Sequence, residues 1–124
     1  MRRKGLKIVP ILELSTFGDG ETLDVPGRPR VVHAPGHTAG SCAMLFEQRR
    51  ALVTGDALAM RNPLTGRIGP QIAPDGLNRD SEMALRSLDA LASLPADLVL
   101  TGHGEPWTDG IEEAVRLAKL AGRT

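Results

Sequence analysis

The sequence predicts a layered α/β domain with mostly antiparallel strands in its front part and a helix–strand–helix unit at its end. Two observations carry this expectation. Short runs of β-branched and aliphatic residues at 30–34, 41–47, 51–54 and 96–100 are bounded by Gly and Pro, the punctuation of strands. Leu85, Leu88 and Leu91 share one helical face, as do Ile111, Ala114, Val115 and Ala118. With 124 residues the chain makes one domain at most.

Taken in order, residues 6–16 mix aliphatic and β-branched residues around Pro10, which suits an edge strand or two short pieces. Gly18-Asp19-Gly20 is a turn, 21–25 a second short strand, and Pro26-Gly27-Arg28-Pro29 a turn into the strand at 30–34. The runs 41–47 and 51–54, joined by Gln48-Arg49-Arg50, have the spacing of a hairpin. Residues 58–79 contain Pro63, Gly66, Gly69, Pro70, Pro74 and Gly76. So many breakers predict a long loop without regular structure, of the kind that forms lids or substrate-binding segments. Asp80 or Ser81 can cap the first helix, which ends before Pro95. Residues 96–100 form a short buried strand. Asp109 is placed to cap the last helix, with Glu112 three residues on as its capping-box partner.

Composition narrows the function. Fifteen basic residues balance fifteen acidic ones, and Phe17, Phe46 and Trp107 are the only aromatic side chains of the Phe, Trp and Tyr type. A basic stripe interleaved with aromatics is absent, so nucleic acid is not an expected partner. The single cysteine, Cys42, can form neither an internal disulfide nor a Cys-x-x-Cys motif, and a reducing cytoplasm fits. The basic opening at 1–12 resembles a signal peptide, but its apolar run is short, holds Pro10 and meets Glu13. No stretch approaches the ~20 apolar residues of a membrane span. A cytoplasmic, membrane-free chain is expected.

Three strand ends share one form, an apolar run that stops at a glycine and a potential ligand. They are Val32-His33-Ala34-Pro35-Gly36-His37, Leu52-Val53-Thr54-Gly55-Asp56 and Leu98-Val99-Leu100-Thr101-Gly102-His103-Gly104. Imidazole and carboxylate form a first-row metal ligand set, and a neighbouring glycine lets the backbone approach an ion. His37, Asp56 and His103 are therefore candidate metal ligands. His33 lies about 13 Å from His37 along an extended strand, too far to share an ion. Thr38 and Ser41 are expected to satisfy backbone groups of the turn, since no serine sits in a Gly-x-Ser-x-Gly elbow. Cys42 reads as a small buried hydrophobe. Trp107 either packs beneath the last helix or lines the rim of the site, and Glu112, Glu113, Arg116 and Lys119 form a solvated face.

Pro35-Gly36-His37-Thr38-Ala39-Gly40-Ser41, Thr54-Gly55-Asp56 and Thr101-Gly102-His103-Gly104, in this order, resemble the last three metal-binding motifs of the metallo-β-lactamase-fold hydrolases. The resemblance extends to Asn62-Pro63-Leu64-Thr65-Gly66-Arg67 and Gly104-Glu105-Pro106-Trp107. It implies an αββα sandwich built from two similar halves, with a two-metal site, usually zinc, at one edge. His37 would bind the first metal, Asp56 would bridge both, and His103 would bind the second. The implied reaction is hydrolysis of an ester, thioester, lactone or lactam-type bond by a metal-held hydroxide.

The family's remaining ligands come from a His-x-His-x-Asp-His motif, which this sequence lacks, its three histidines standing at 33, 37 and 103. Residues 1–124 are thus read as one partial domain, the C-terminal half of the family pattern. Two protein ligands per ion fall short of the roughly three of a catalytic zinc, so weak metal binding and little activity are expected of the chain alone. Two partners follow: a matching N-terminal half, or a second copy covering the inner sheet face, in which case the chain is a non-catalytic, self-associating module.

Overall fold

A computed structural model describes residues 8–124. Its centre is a sheet of four strands: β1 (Arg30–His33), β2 (Cys42–Phe46), β3 (Ala51–Gly55) and β6 (Leu98–Thr101), in the order β1-β2-β3-β6. β1 and β2 pair antiparallel with Val32 opposite Ala43, and β2 and β3 antiparallel with Leu45 opposite Leu52. β6 joins β3 in parallel with Leu52 opposite Val99. The predicted hairpin at 41–54 is present, its connection a short 3-10 turn over Glu47–Arg49.

Strand alternation divides this sheet into two unlike faces. Val32, Ala43, Leu45, Leu52 and Val99 point to a core that they share with Leu88, Leu91, Ile111, Ala114, Val115 and Ala118 from the helices. Leu45, Leu52, Leu88 and Leu91 are fully buried, each stabilising the fold by about 1.5–3 kcal/mol. The opposite face carries Met44, Phe46, Val53, Leu98 and Leu100, half-buried or exposed. No helix covers it. The strand predicted at 96–100 is therefore buried on one side only.

Helix α1 (Ser81–Ser87) begins as predicted, with the Asp80 carboxylate accepting the Met83 amide at 2.9 Å. The helix breaks at Leu88 and resumes as the single turn α2 (Asp89–Ala92). In α3 (Ile111–Ala121) the predicted stripe of Ile111, Ala114, Val115 and Ala118 is buried. Asp109 does not cap it. The N-cap position belongs to Gly110 at φ 84°, without a side-chain bond, and the Gly110 carbonyl accepts both the Ala114 amide and the Trp107 indole N–H. On the outer face Glu113 pairs with Arg116 and Lys119 with Asp89, as expected of a solvated surface.

Two further expectations are corrected. Residues 8–17 form no strand, and Ile8, Ile11, Leu12 and Leu14 are at least three-quarters exposed; residues 6 and 7 of the predicted piece lie outside the described residues. Alternation in sequence makes a strand only when a neighbouring strand takes its amides. The strand predicted at 21–25 is likewise reduced to a single bridge between Thr22 and Arg30. Residues 58–79, predicted without regular structure, contain an antiparallel pair, β4 (Ala59–Arg61) and β5 (Ile68–Gln71). Its turn is held by Asn62, whose side-chain oxygen accepts the amides of Leu64 and Thr65 at 2.9 and 3.0 Å, and by Gly66 at φ 77°. Among the described residues no helix is long and apolar enough to cross a membrane.

Candidate metal centre

β1, β3 and β6 run in one direction, so their C-terminal ends share one rim of the sheet. His37, Asp56 and His103 follow those ends, and the fold brings all three together. The His37 loop is seated on α1. A Cβ at Gly36 would stand 2.3 Å from the Ala84 Cα and N, so only glycine permits the approach. Asp80 N donates to Gly36 O at 2.9 Å, Arg79 N to His37 O at 3.1 Å, and Ser87 Oγ to Pro35 O at 2.6 Å. Thr38 and Ser41 close the turn through their hydroxyls, 2.8 Å apart. His33 is turned away from the site, its Nε2 2.9 Å from the Ala39 carbonyl.

Asp56 leaves β3 after Gly55, which is left-handed at φ 52° and follows a register shift in the β3–β6 ladder. His103 is fixed through its backbone, its carbonyl accepting the amides of Met60 and Arg61 at 2.8 and 3.2 Å. The Asp56 carboxylate lies between the two imidazoles. Its Oδ2 is 3.4 Å from His37 Nε2, and its Oδ1 is 3.5 Å from His103 Nε2.

Hydrogen bonding sets the tautomer of His37. The Asn78 amide nitrogen donates to Ala73 O at 2.7 Å and to Ser81 Oγ at 3.1 Å. This turns the Asn78 oxygen toward His37 Nδ1 at 3.2 Å, so Nδ1 must donate. In that tautomer Nε2 faces a carboxylate oxygen, and a cation between the two would satisfy both. A tetrahedral zinc about 2.0–2.1 Å from a nitrogen and an oxygen holds the two roughly 3.3–3.4 Å apart, and the observed spacings lie within the usual ±0.2 Å tolerance of a metal site. The donor types and spacing fit divalent ions on either side of Asp56. Their number does not complete a site, because each ion would have one imidazole and one carboxylate oxygen. Among the described residues no group of three or more His, Cys, Asp or Glu is arranged to hold one ion.

Asn78 was not among the residues that sequence reasoning singled out. It lies amid the breakers of 58–79, and only the folded chain sets it against His37. Its loop is anchored by Arg123, whose guanidinium, together with a bond to Ser81, holds the Asp75 carboxyl down at about 2. The same segment supplies Ala59, Pro63, Ala73, Pro74 and Leu77, which with the three candidate ligands enclose a small cavity of about 70 Å³. Half-buried Cys42 stands apart, burial pushing its thiol up, and Trp107 packs against the core.

The chain is 36% identical over 86 residues to an uncharacterized protein of Aquifex aeolicus (strain VF5), covering 68% of this chain and 37% of that protein. It is 34% identical over 98 residues to the probable metallo-hydrolase YflN of Bacillus subtilis (strain 168), covering 74% of this chain and 37% of that one. It thus spans little more than a third of the length of these curated relatives. Among solved structures it resembles a metallo-β-lactamase family protein from Thermus thermophilus, with a TM-score of 0.63 and 33% identity over 85% of this chain and 34% of that one. It also resembles TTHA1623 in a di-iron-bound form, with a TM-score of 0.59 and 28% identity over 84% of this chain and 48% of that one. A family profile described as the metallo-beta-lactamase superfamily matches residues 3–103, and the chain belongs to that superfamily.

Proposed function

We propose that this chain is the C-terminal, ligand-bearing half of a metal-dependent hydrolase acting on an ester, thioester, lactone or lactam-type bond. The observation that carries the reading is the Asp56 carboxylate set between His37 Nε2 and His103 Nε2 at 3.4 and 3.5 Å. In this reading His37, Asp56 and His103 would hold the divalent ions, zinc being the preferred metal. The di-iron form of one relative makes iron the competitor. Bound divalent ions supply a water acidic enough to ionise near neutral pH and positive charge for a developing oxyanion. The chain's own share is positioning: Asn78 keeps the His37 Nε2 lone pair on the site, and the apolar walls from 59–77 limit water. The missing donors come from an N-terminal half carrying the His-x-His-x-Asp-His pattern, and the chain alone binds zinc weakly.

The second reading is a self-associating module without catalysis. It is favoured by the uncovered sheet face of Met44, Phe46, Val53, Leu98 and Leu100, an apolar surface of the kind that marks a partner interface. Native mass spectrometry with and without added zinc tests both. The hydrolase reading expects zinc adducts only in excess zinc, lost in His37→Ala, Asp56→Ala and His103→Ala. Adducts indifferent to all three substitutions refute it. A metal-free homodimer supports the second reading, and two zinc ions per monomer surviving dialysis refute the half-site account.

A further inference from the structure

We propose that the cavity between the β4–β5 hairpin and Trp107 is the pocket for an uncharged acyl or aryl group of about six carbons on the substrate. The assignment rests on the hydrolase reading above and names the substrate class for it. The cavity measures about 170 Å³ and is lined by Met60, Ile68, Gly69 and Trp107 together with Arg61 and Glu105. An apolar protein cavity of roughly 150 Å³ accepts benzene, which sets the size of the group.

Its walls are apolar for identifiable reasons. The Trp107 indole N–H is already bonded to the Gly110 carbonyl at 2.9 Å, so the ring offers hydrocarbon to an occupant. Met60 is buried, while Ile68 is 80% exposed, an apolar side chain left in water beside an apolar hollow. Arg61 and Glu105 form no ion pair among the described residues, and their opposite charges leave the lining without a net charge.

The pocket is also tied to the candidate site. The amides of Met60 and Arg61 both end on the His103 carbonyl. A Cβ on Gly104 would stand 2.7 Å from Met60, so the residue after His103 lies against the pocket wall. Gly104 thus joins the pocket lining to His103, and a substrate seated there would extend its polar linkage toward that residue.

Trp107 is the sole tryptophan, so its emission reports occupancy without metal or turnover. Titration with hexanamide is expected to change that emission saturably, and acetamide, too short to fill the pocket, to leave it unchanged. Ile68→Asp is expected to weaken hexanamide binding about tenfold or more, and Ile68→Met, which keeps size and apolarity, to retain it; circular dichroism verifies that both variants are folded. No saturable response to hexanamide, an equal response to acetamide, or equal affinity in folded Ile68→Asp overturns the assignment. So does emission that changes with protein concentration but not with hexanamide, which means a second copy fills the hollow. Zinc adducts measured on the same sample separate the two ideas. Zinc uptake without hexanamide binding overturns the pocket alone, whereas hexanamide binding without uptake in excess zinc leaves only an apolar-ligand site and overturns the hydrolase reading together with the substrate assignment.

Discussion

Gly102→Ala is the sharpest perturbation of the proposed metal site. An ideal Cβ at residue 102 stands 2.1 Å from Asp56 Oδ1 and 3.2 Å from its carboxyl carbon. Ordinary van der Waals contact begins near 3.4 Å, so the carboxylate must recede by more than about 1 Å, several times the ~0.2 Å that metal–donor distances tolerate. Residue 102 is outside the left-handed region, so alanine adds no backbone strain. The Gly102 amide keeps its bond to Gly55 O. The expected outcome is a folded variant, its melting temperature within about 3 °C of the parent, whose zinc dissociation constant rises about tenfold or more. Competition with a chromogenic chelator measures that constant. Because Asp56 is the group displaced, adding Asp56→Ala to Gly102→Ala should weaken binding little further, a non-additivity that a double-mutant cycle exposes. Zinc affinity within twofold of the parent in folded Gly102→Ala would show that the carboxylate does not bridge the ions.

Three further outcomes are expected. Asn78→Ala frees the His37 ring to rotate and change tautomer, and should weaken zinc binding about 10–100-fold in the same chelator assay; unchanged affinity would remove Asn78 as a positioning residue. The Arg123 guanidinium, with a smaller share from a bond to Ser81, lowers the Asp75 carboxyl from 3.8 to about 2 in the folded chain. Its contribution to stability is therefore present above the unfolded value and lost as pH falls through the folded one. Arg123→Ala should lower the urea midpoint at pH 5, with the gap to the parent closing toward pH 2, and a constant gap would contradict the pairing. Leu91→Ala, at a fully buried site beneath α3, should cost about 2–5 kcal/mol in urea denaturation, while a loss below ~1 kcal/mol would mean that the helix layer is loosely packed.

Legibility followed the range of the forces involved. The hairpin at 41–54 could be read because apolar runs and a polar connection act between neighbours in the chain. The Asp80 cap was equally local. The piece predicted at 6–16 misled because, among the described residues, 8–16 have no partner strand to take their amides. The β4–β5 pair escaped because breakers hid it, its turn being made by the Asn62 side chain. Asp109 missed its cap because the indole of Trp107 and the Ala114 amide converge on Gly110 instead.

His37, Asp56 and His103 were legible one by one, each as a ligand type after a strand and a glycine, and the order of their motifs carried the superfamily. Sequence by itself thus offered three candidate donor side chains, the strand ends that present them and the count of three histidines. Only the tertiary structure decided that Asp56 lies between the two imidazoles, that Gly36 and Gly102 leave room for them, and that Asn78 holds His37 in one tautomer. Those relations join residues 37, 56, 78 and 103, far apart along the chain. A backbone pattern reports what each residue does to its neighbours, and distances of 3–4 Å across the fold arise only when the whole core packs.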